Sequence, residues 1–493
     1  MIIGRPDAKS SASGLAALAF GRWFPYNPLV SRKNEPSEYR KLASVDELLR
    51  DERVAELVKS HPRKVVVDGL REALDAAREQ ITSGARAPER ASLVDAAAEI
   101  IRKRETMSLR GAVNATGVII HTGLGRAVLC DRAVRAVVEA AGGHSTLEVD
   151  VATGKRGSRQ DHVTGLLCEL TGAESALVVN NNAGAVFVGI NTLARGREVI
   201  ISRGQLVEIG GSFRLPDIIE RAGARLVEVG TTNRTRIADY DGALTADTAL
   251  ILRCHPSNFK LTGFVEDTPL EELVALGREM GIPVMDDLGS GALIDLSQFA
   301  LEPEPTAQQS VSAGADLVCF SGDKLLGASQ AGILIGGAEV IDECRSNPLA
   351  RALRVDKLTL AALEATLRVY REGDPASEIP VIAAIARPLS EIDSQAAKLA
   401  RKINSLHIEG LRATVTPVES QTGGGSLPGQ NLESRALTLK SERLSAEDLS
   451  ERFRGNEPPI FGRIVKDAFV LDMRTVSPHE AQHILGCVSS LKS

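Results

Sequence analysis

Four short segments concentrate the residues able to do chemistry. Ser321-Gly322-Asp323-Lys324 follows the apolar run Leu317-Val318-Cys319-Phe320, placing an aspartate beside a lysine and a serine three residues before it. A lysine amine is a nucleophile toward carbonyl compounds once its surroundings lower its pKa. Asp286-Asp287 follows Pro283-Val284-Met285 and leads into Leu288-Gly289-Ser290-Gly291, where a carboxylate could pair with a protonated ring nitrogen. Asn180-Asn181-Asn182-Ala183-Gly184-Ala185 follows Leu177-Val178-Val179 and opens a helix; its small residues let backbone N–H groups and the helix dipole approach a phosphate. His255-Pro256-Ser257-Asn258 ends a fourth run at Leu250-Ile251-Leu252. Singly, each has an ordinary explanation: asparagines cap helices, paired aspartates cap or bind metal, and strand-end lysines are solvated.

The elements that must position these residues are legible as alternation. Short β-branched runs at Leu177, Val199, Leu226, Leu250, Pro283, Leu317 and Ile333 interleave with helical stretches, the pattern of an α/β domain with a mostly parallel seven-stranded sheet. Such sheets collect ligands at the carboxyl ends of their strands. There, a lysine nucleophile, an acid for a pyridinium and a helix-terminus phosphate cradle are what a pyridoxal 5'-phosphate (PLP) site requires, with attachment at Lys324. This combination resembles the fold-type-I aminotransferase superfamily. His121-Thr122-Gly123-Leu124-Gly125-Arg126 contains G-x-G, but the third glycine and a closing acid are missing, so dinucleotide binding is not expected.

Around this catalytic domain, placed at 107–372, the chain divides into three further parts. Residues 1–37 read as a loose tail. Residues 38–106 read as a small helical domain, opened by the capping box Ser44-Val45-Asp46-Glu47 and carrying apolar residues at helical spacing through Leu48, Val54, Leu57, Val66, Leu70 and Leu74. Residues 373–493 read as a small α+β domain with strands near Ala413, Ala436 and Phe469. The 493 residues are 43% hydrophobic and 25% charged with net charge −6, so any nucleic-acid contact must come from a local basic patch. Six scattered cysteines without C-x-x-C indicate neither a metal site nor a disulfide framework. The apolar stretch Leu15–Phe20 is too short to span a membrane, and a cytoplasmic location is expected.

A closer resemblance rests on several motifs. Val113-Asn114-Ala115-Thr116-Gly117, His121 through Ala127, Gly154-Lys155-Arg156-Gly157-Ser158-Arg159, Val178 to Ala183 and Glu208 to Arg214 are similar to the bacterial selenocysteine synthase family. So are Phe320 to Leu326, Gln330-Ala331-Gly332, Gly423-Gly424-Gly425-Ser426-Leu427-Pro428-Gly429 and Asp472 to Val476. Departures are Gly123, Gln205 and Ala328-Ser329, where the family usually has Asn, Glu and Gly-Pro.

The resemblance implies conversion of L-seryl-tRNA(Sec) to L-selenocysteinyl-tRNA(Sec), by PLP-dependent loss of water and addition of selenium from selenophosphate. It implies that Lys324 takes the α-proton, that Asp287 pairs with the ring nitrogen, and that Asn181, Asn182, Ser321, Gln205 and His255 surround the cofactor. Asp323 either assists the leaving hydroxyl or orients Lys324. Arg126, Arg351 and Arg354 match arginines that bind selenophosphate. The helical domain would grip tRNA, with Lys59, Arg63, Lys64 and Arg102-Lys103-Arg104 as candidate basic patches. The family forms rings of dimers, so a homo-oligomer is expected. A PLP-dependent lyase acting on a small amino acid or amino-sugar acid is the alternative; those relatives generally lack the helical domain.

Overall fold

A computed structural model describes residues 38–210 and 213–492; the tail at 1–37 and the stretch Leu15–Phe20 lie outside the described residues. The chain divides into two compact units between Arg110 and Gly111.

The first unit contains helices α1 (Val45–Leu48), α2 (Glu52–Ser60), α3 (Arg63–Thr82) and α4 (Arg90–Glu105). The expected capping box forms: the Ser44 N–H donates to Glu47 Oε2 (2.6 Å) and the Glu47 N–H to Ser44 Oγ (3.2 Å). Leu48, Val54, Val66, Leu70 and Leu74 face inward with Leu93, Val94, Ala97 and Ile101 of α4. Gly69 has a packing reason: a Cβ there would sit 2.7 Å from Ile101.

In the second unit, β1 (Val113–Asn114) and β2 (Val118–Ile120) come first. Seven strands follow: β3 (Ser175–Val179), β4 (Glu198–Ser202), β5 (Arg225–Val229), β6 (Thr248–Cys254), β7 (Val284–Gly289), β8 (Leu317–Ser321) and β9 (Gly332–Gly336). They form one sheet in the order β3-β9-β8-β7-β6-β4-β5, parallel except for β9, which runs antiparallel to both neighbours. Every strand run read from the sequence is present. Alternation along the strands sorts side chains to two faces: Val178, Ile200, Ile251 and Val318 join one core, and Leu177, Ile201, Leu252 and Leu317 the other. Helix α5 (Asn182–Ala194) lies on the second face, where a Cβ on Gly189 would come within 3.0 Å of Leu317 and Met285.

The C-terminal layer is built on a long hairpin, β10 (Leu411–Gly423) and β11 (Ser426–Ser441), followed by β12 (Ile460–Phe461), β13 (Arg463–Val465) and β14 (Ala468–Asp472). Two features differ from the sequence reading. First, the C-terminal sheet recruits the start of the unit: β2 pairs in parallel with β10, and β1 with β12. The boundary at 373 therefore divides residues that pair as strands. Second, Asp286 and Asp287 lie within β7 instead of following it.

The β2 junction is pinned by Asp472, which is fully buried and accepts from Ser434 Oγ (2.6 Å), the Arg474 N–H (3.1 Å), Ser420 Oγ (2.9 Å) and Arg463 Nη2 (3.1 Å). Gly117 passes so close, at φ +78°, that a Cβ would lie 2.1 Å from Asp472 Oδ2.

Candidate active site

Lys324 sits three residues past the end of β8 and is only 9% exposed. Burial lowers its amine pKa from the ordinary lysine value, and the nearby charges of Asp287 and Asp323 oppose that shift.

Asp323, also buried, is held at both oxygens. Ser321 Oγ donates to Oδ1 (2.7 Å) and Arg126 Nη1 to Oδ2 (2.7 Å). The Ala127 N–H also bonds the Asp323 carbonyl (3.2 Å). Arg126 stands on the turn after β2 in a left-handed conformation, φ 64°, which an L side chain adopts at a cost. The segment brought in by the C-terminal sheet thus delivers a guanidinium to the residue preceding the lysine. The Ser321 hydroxyl proton is thus directed at Asp323.

The two aspartates of β7 point to opposite faces, as neighbours in a strand must. Asp286 is taken up by Arg253 Nη1 (2.9 Å) and Ser310 Oγ (2.6 Å). Asp287 accepts from Asn182 Nδ2 (2.8 Å) and the Gly289 N–H (3.0 Å), while burial raises its carboxyl pKa. Its second oxygen accepts from the Cys254 thiol, 3.7 Å away. Asn181 caps α5, its Oδ1 accepting from the Gly184 N–H (2.8 Å), so a phosphate at this helix start would meet backbone donors.

Gln205 donates to both oxygens of Asp267 (3.1 and 3.2 Å) and accepts the Cys254 N–H (3.0 Å). It shares the wall of a cavity of about 380 Å³ with His255, whose Nε2 lies 3.6 Å from Glu304. The His255 N–H also bonds the Asp287 carbonyl (2.9 Å).

One contributor had no role assigned from sequence. The tip of the β10–β11 hairpin, Gly423-Gly424-Gly425, reaches the lysine: a Cβ on Gly425 would lie 3.4 Å from Lys324 Nζ. A run of three glycines between alternating strands was the available signal.

The residues present fit PLP. Lys324 and Asp287 are both buried, a helix N-terminus opens beside Asp287, and Asn182 Oδ1 is buried without a protein partner.

The three arginines expected to bind an anion do not line one cavity. Arg126 lines a space of about 440 Å³ with Asp323 and Gln330. Arg351 and Arg354 line another, of about 300 Å³, together with Arg156, Arg159, Arg345 and Glu148. Glu148 ties this second group, contacting Arg156 Nη2 (2.7 Å), Arg159 Nη2 (2.5 Å) and Arg354 Nη1 (3.7 Å). Arg354 nevertheless abuts the start of the cradle, bridging Val179, and the Asn180 N–H bonds the Leu353 carbonyl (2.9 Å).

Comparison with known proteins agrees with this geometry. Residues 112–477 match the family model for L-seryl-tRNA selenium transferase, and residues 39–78 that for the selenocysteine synthase N-terminal region. The chain is 46% identical to the L-seryl-tRNA(Sec) selenium transferase of Caldanaerobacter subterraneus subsp. tengcongensis, over 92% of this chain and 98% of the relative. It is 48% identical to that of Hyphomonas neptunium, over 89% and 95%. Among solved structures, a D-glucosaminate-6-phosphate ammonia-lyase shares the fold, with a TM-score of 0.53 at 20% identity over 80% of this chain and 98% of that one. Among the described residues, no helix is long and apolar enough to cross a membrane. The chain belongs to the L-seryl-tRNA(Sec) selenium transferase family, PLP-dependent enzymes of fold type I.

Proposed function

We propose that this protein converts L-seryl-tRNA(Sec) to L-selenocysteinyl-tRNA(Sec), exchanging the seryl hydroxyl for selenium from selenophosphate. The observation that carries the reading is the buried Lys324 set between Asp287 and an Asp323–Arg126 pair, in a chain of this family. Lys324 and Asp287 would hold PLP, with Asn181, Asn182 and the α5 N-terminus at its phosphate side and Gln205 and His255 bordering it. Bound there, PLP supplies an electron sink that acidifies the α-hydrogen of an attached amino acid.

Lys324 takes the α-proton at Nζ, and its burial disfavours the charged ammonium form that could not accept it. Asp323, with both oxygens accepting hydrogen bonds, is suited to orient Lys324 and poorly suited to give a proton to the leaving hydroxyl. Arg351 and Arg354 form a forked-donor pocket for the selenophosphate anion, and Arg126 borders the lysine side.

The helical unit binds the tRNA. Its basic residues partly offset one another's acidic neighbours, Lys59 with Glu56 (2.5 Å) and Arg102 with Glu99 (2.8 Å), so their contribution is salt-sensitive. A cytoplasmic homo-oligomer built as a ring of dimers belongs to the same reading. The exposed Val134 and Val138 on the helix Asp131–Ala141 support association. For the alternative, a lyase acting on a small amino acid or amino-sugar acid, the support is likeness of fold alone.

The test is to supply purified protein with seryl-tRNA(Sec) and selenophosphate and to quantify selenocysteinyl-tRNA. Turnover of free serine without any on the tRNA would overturn the assignment.

A further inference from the structure

The cavity that Arg351 and Arg354 line also holds a carboxylate, which an anion pocket does not need for attraction. Glu148 borders the same space of about 300 Å³. A short hairpin fixes it there. The Gly157 N–H donates to the Glu148 carbonyl (3.0 Å), the Asp150 N–H to the Lys155 carbonyl (2.9 Å), and Val149 bridges Arg156. At the side chain, Oε1 accepts from Arg159 Nε (3.0 Å) and Oε2 from Arg156 Nη2 (2.7 Å). These hydrogen bonds, that from Arg159 foremost, hold the carboxyl below the ordinary glutamate range. Glu148 is therefore ionised at neutral pH and can only accept.

The surrounding guanidiniums are committed unequally. Arg159 is 12% exposed, and its Nη1 also donates to the Val355 carbonyl (2.6 Å). Arg345 is tied to Asp342 and to the Ala176 carbonyl (3.1 Å). Arg354 approaches Glu148 only at 3.7 Å. Among the described residues, the Arg351 side chain has no hydrogen-bond or ion-pair partner. Two forks thus remain for a ligand, and an ionised carboxylate stands beside them.

That arrangement sets a condition on the ligand. An oxyanion without a proton is repelled by Glu148, and like charges placed together exclude wrong partners. An oxyanion that keeps a hydroxyl proton donates it to Glu148 while its other oxygens accept from the arginines. Selenophosphate, the anion of a tribasic acid, keeps such a proton near neutral pH. Sulfate, similar in shape and equal in charge, keeps none.

We propose that Glu148 is the specificity-determining residue of the donor pocket: it accepts a hydrogen bond from the hydroxyl of a protonated phosphate-type dianion and turns away oxyanions with no proton to give. The inference rests on the reading of Arg351 and Arg354 as the selenophosphate pocket, and it adds how that pocket tells its donor from sulfate.

The experiment measures inhibition of selenium incorporation into seryl-tRNA(Sec) by inorganic phosphate and by sulfate, at matched ionic strength, in the full-length holoenzyme. The wild type should favour phosphate over sulfate by about 100-fold. In Glu148→Gln the amide can donate to sulfate and its carbonyl can still accept from phosphate. Sulfate should therefore inhibit this variant nearly as well as phosphate does, with phosphate itself little changed. Glu148→Asp keeps the charge but withdraws it by a methylene, and should show an intermediate preference. A purely structural tie would weaken both anions alike.

A wild type inhibited equally by both anions would overturn the proposal, as would a preference that Glu148→Gln leaves intact. Loss of cofactor absorbance in Glu148→Gln would also overturn it, making the residue a support of the fold. If neither anion competes and Arg351→Ala leaves selenium incorporation unchanged, the pocket reading itself fails, a result distinct from a pocket that binds without discriminating.

Discussion

Replacing Asp323 by Asn separates the two roles open to that residue, because the structure gives them different magnitudes. Asparagine is nearly isosteric. Its carbonyl oxygen can still accept from Arg126, and its amide can face Ser321, whose hydroxyl rotates to accept. What disappears is the charge. The Arg126 side chain is 40% exposed while Asp323 is 7% exposed, so the pair is partly screened and its loss is worth about 1–2 kcal/mol. The main-chain bond from Ala127 to the Asp323 carbonyl remains.

If Asp323 acts by holding the turn that carries Lys324, single-turnover loss of the seryl hydroxyl should slow by about 5- to 30-fold at 1.4 kcal/mol per decade. Arg126→Gln should slow it by a similar factor. The double variant should be little worse than either single one, since both changes break the same contact. A general acid contributes about 10²- to 10⁴-fold, and its absence is felt only when the leaving group needs a proton. The assay therefore includes β-chloroalanyl-tRNA(Sec), whose chloride departs without one. A loss above about 100-fold with the seryl substrate that vanishes with the chloro substrate would refute the positioning role and make Asp323 the acid.

Borohydride treatment of the holoenzyme should fix PLP on Lys324, seen by peptide mass, and Lys324→Ala should abolish the label; recovery on another lysine would reject the assignment. Because the structure divides after Arg110, a chain of residues 111–493 should retain cofactor absorbance and lose tRNA(Sec) affinity in a filter-binding assay. Unchanged affinity would remove the helical unit from recognition. Arg351→Ala or Arg354→Ala should weaken selenium incorporation by roughly 10- to 150-fold, the worth of a charge-assisted hydrogen bond. Loss of the seryl hydroxyl should be spared, and the Lys variants should recover only part. Equal losses in both steps would mean that these arginines position the tRNA or support the fold.

By itself the sequence determined what depends on neighbouring residues. Short unbroken apolar runs rich in β-branched side chains specified all seven strands of the large sheet, because alternate residues enter two separate cores and both faces are buried. Ser44 and Glu47 announced a helix start because both halves of a capping box lie within four residues. Lys324 and the asparagine turn were visible because strand ends and helix starts are local events.

The tertiary structure decided what depends on register and return of the chain. Asp286 and Asp287 are equivalent in sequence, but the strand continues through them, so its pleat gives one to Arg253 and the other to Asn182. Pairing of Arg126 with Asp323 joins residues 197 positions apart, and Arg126 follows a strand that is held by a hairpin the sequence assigned to a different domain. The approach of Gly425 to Lys324 follows from the length of a hairpin whose far end is pinned by other strands. Arg126 was separated from Arg351 and Arg354 for the same reason: each rides on an element whose position is set by long-range packing, which no local pattern of residues encodes.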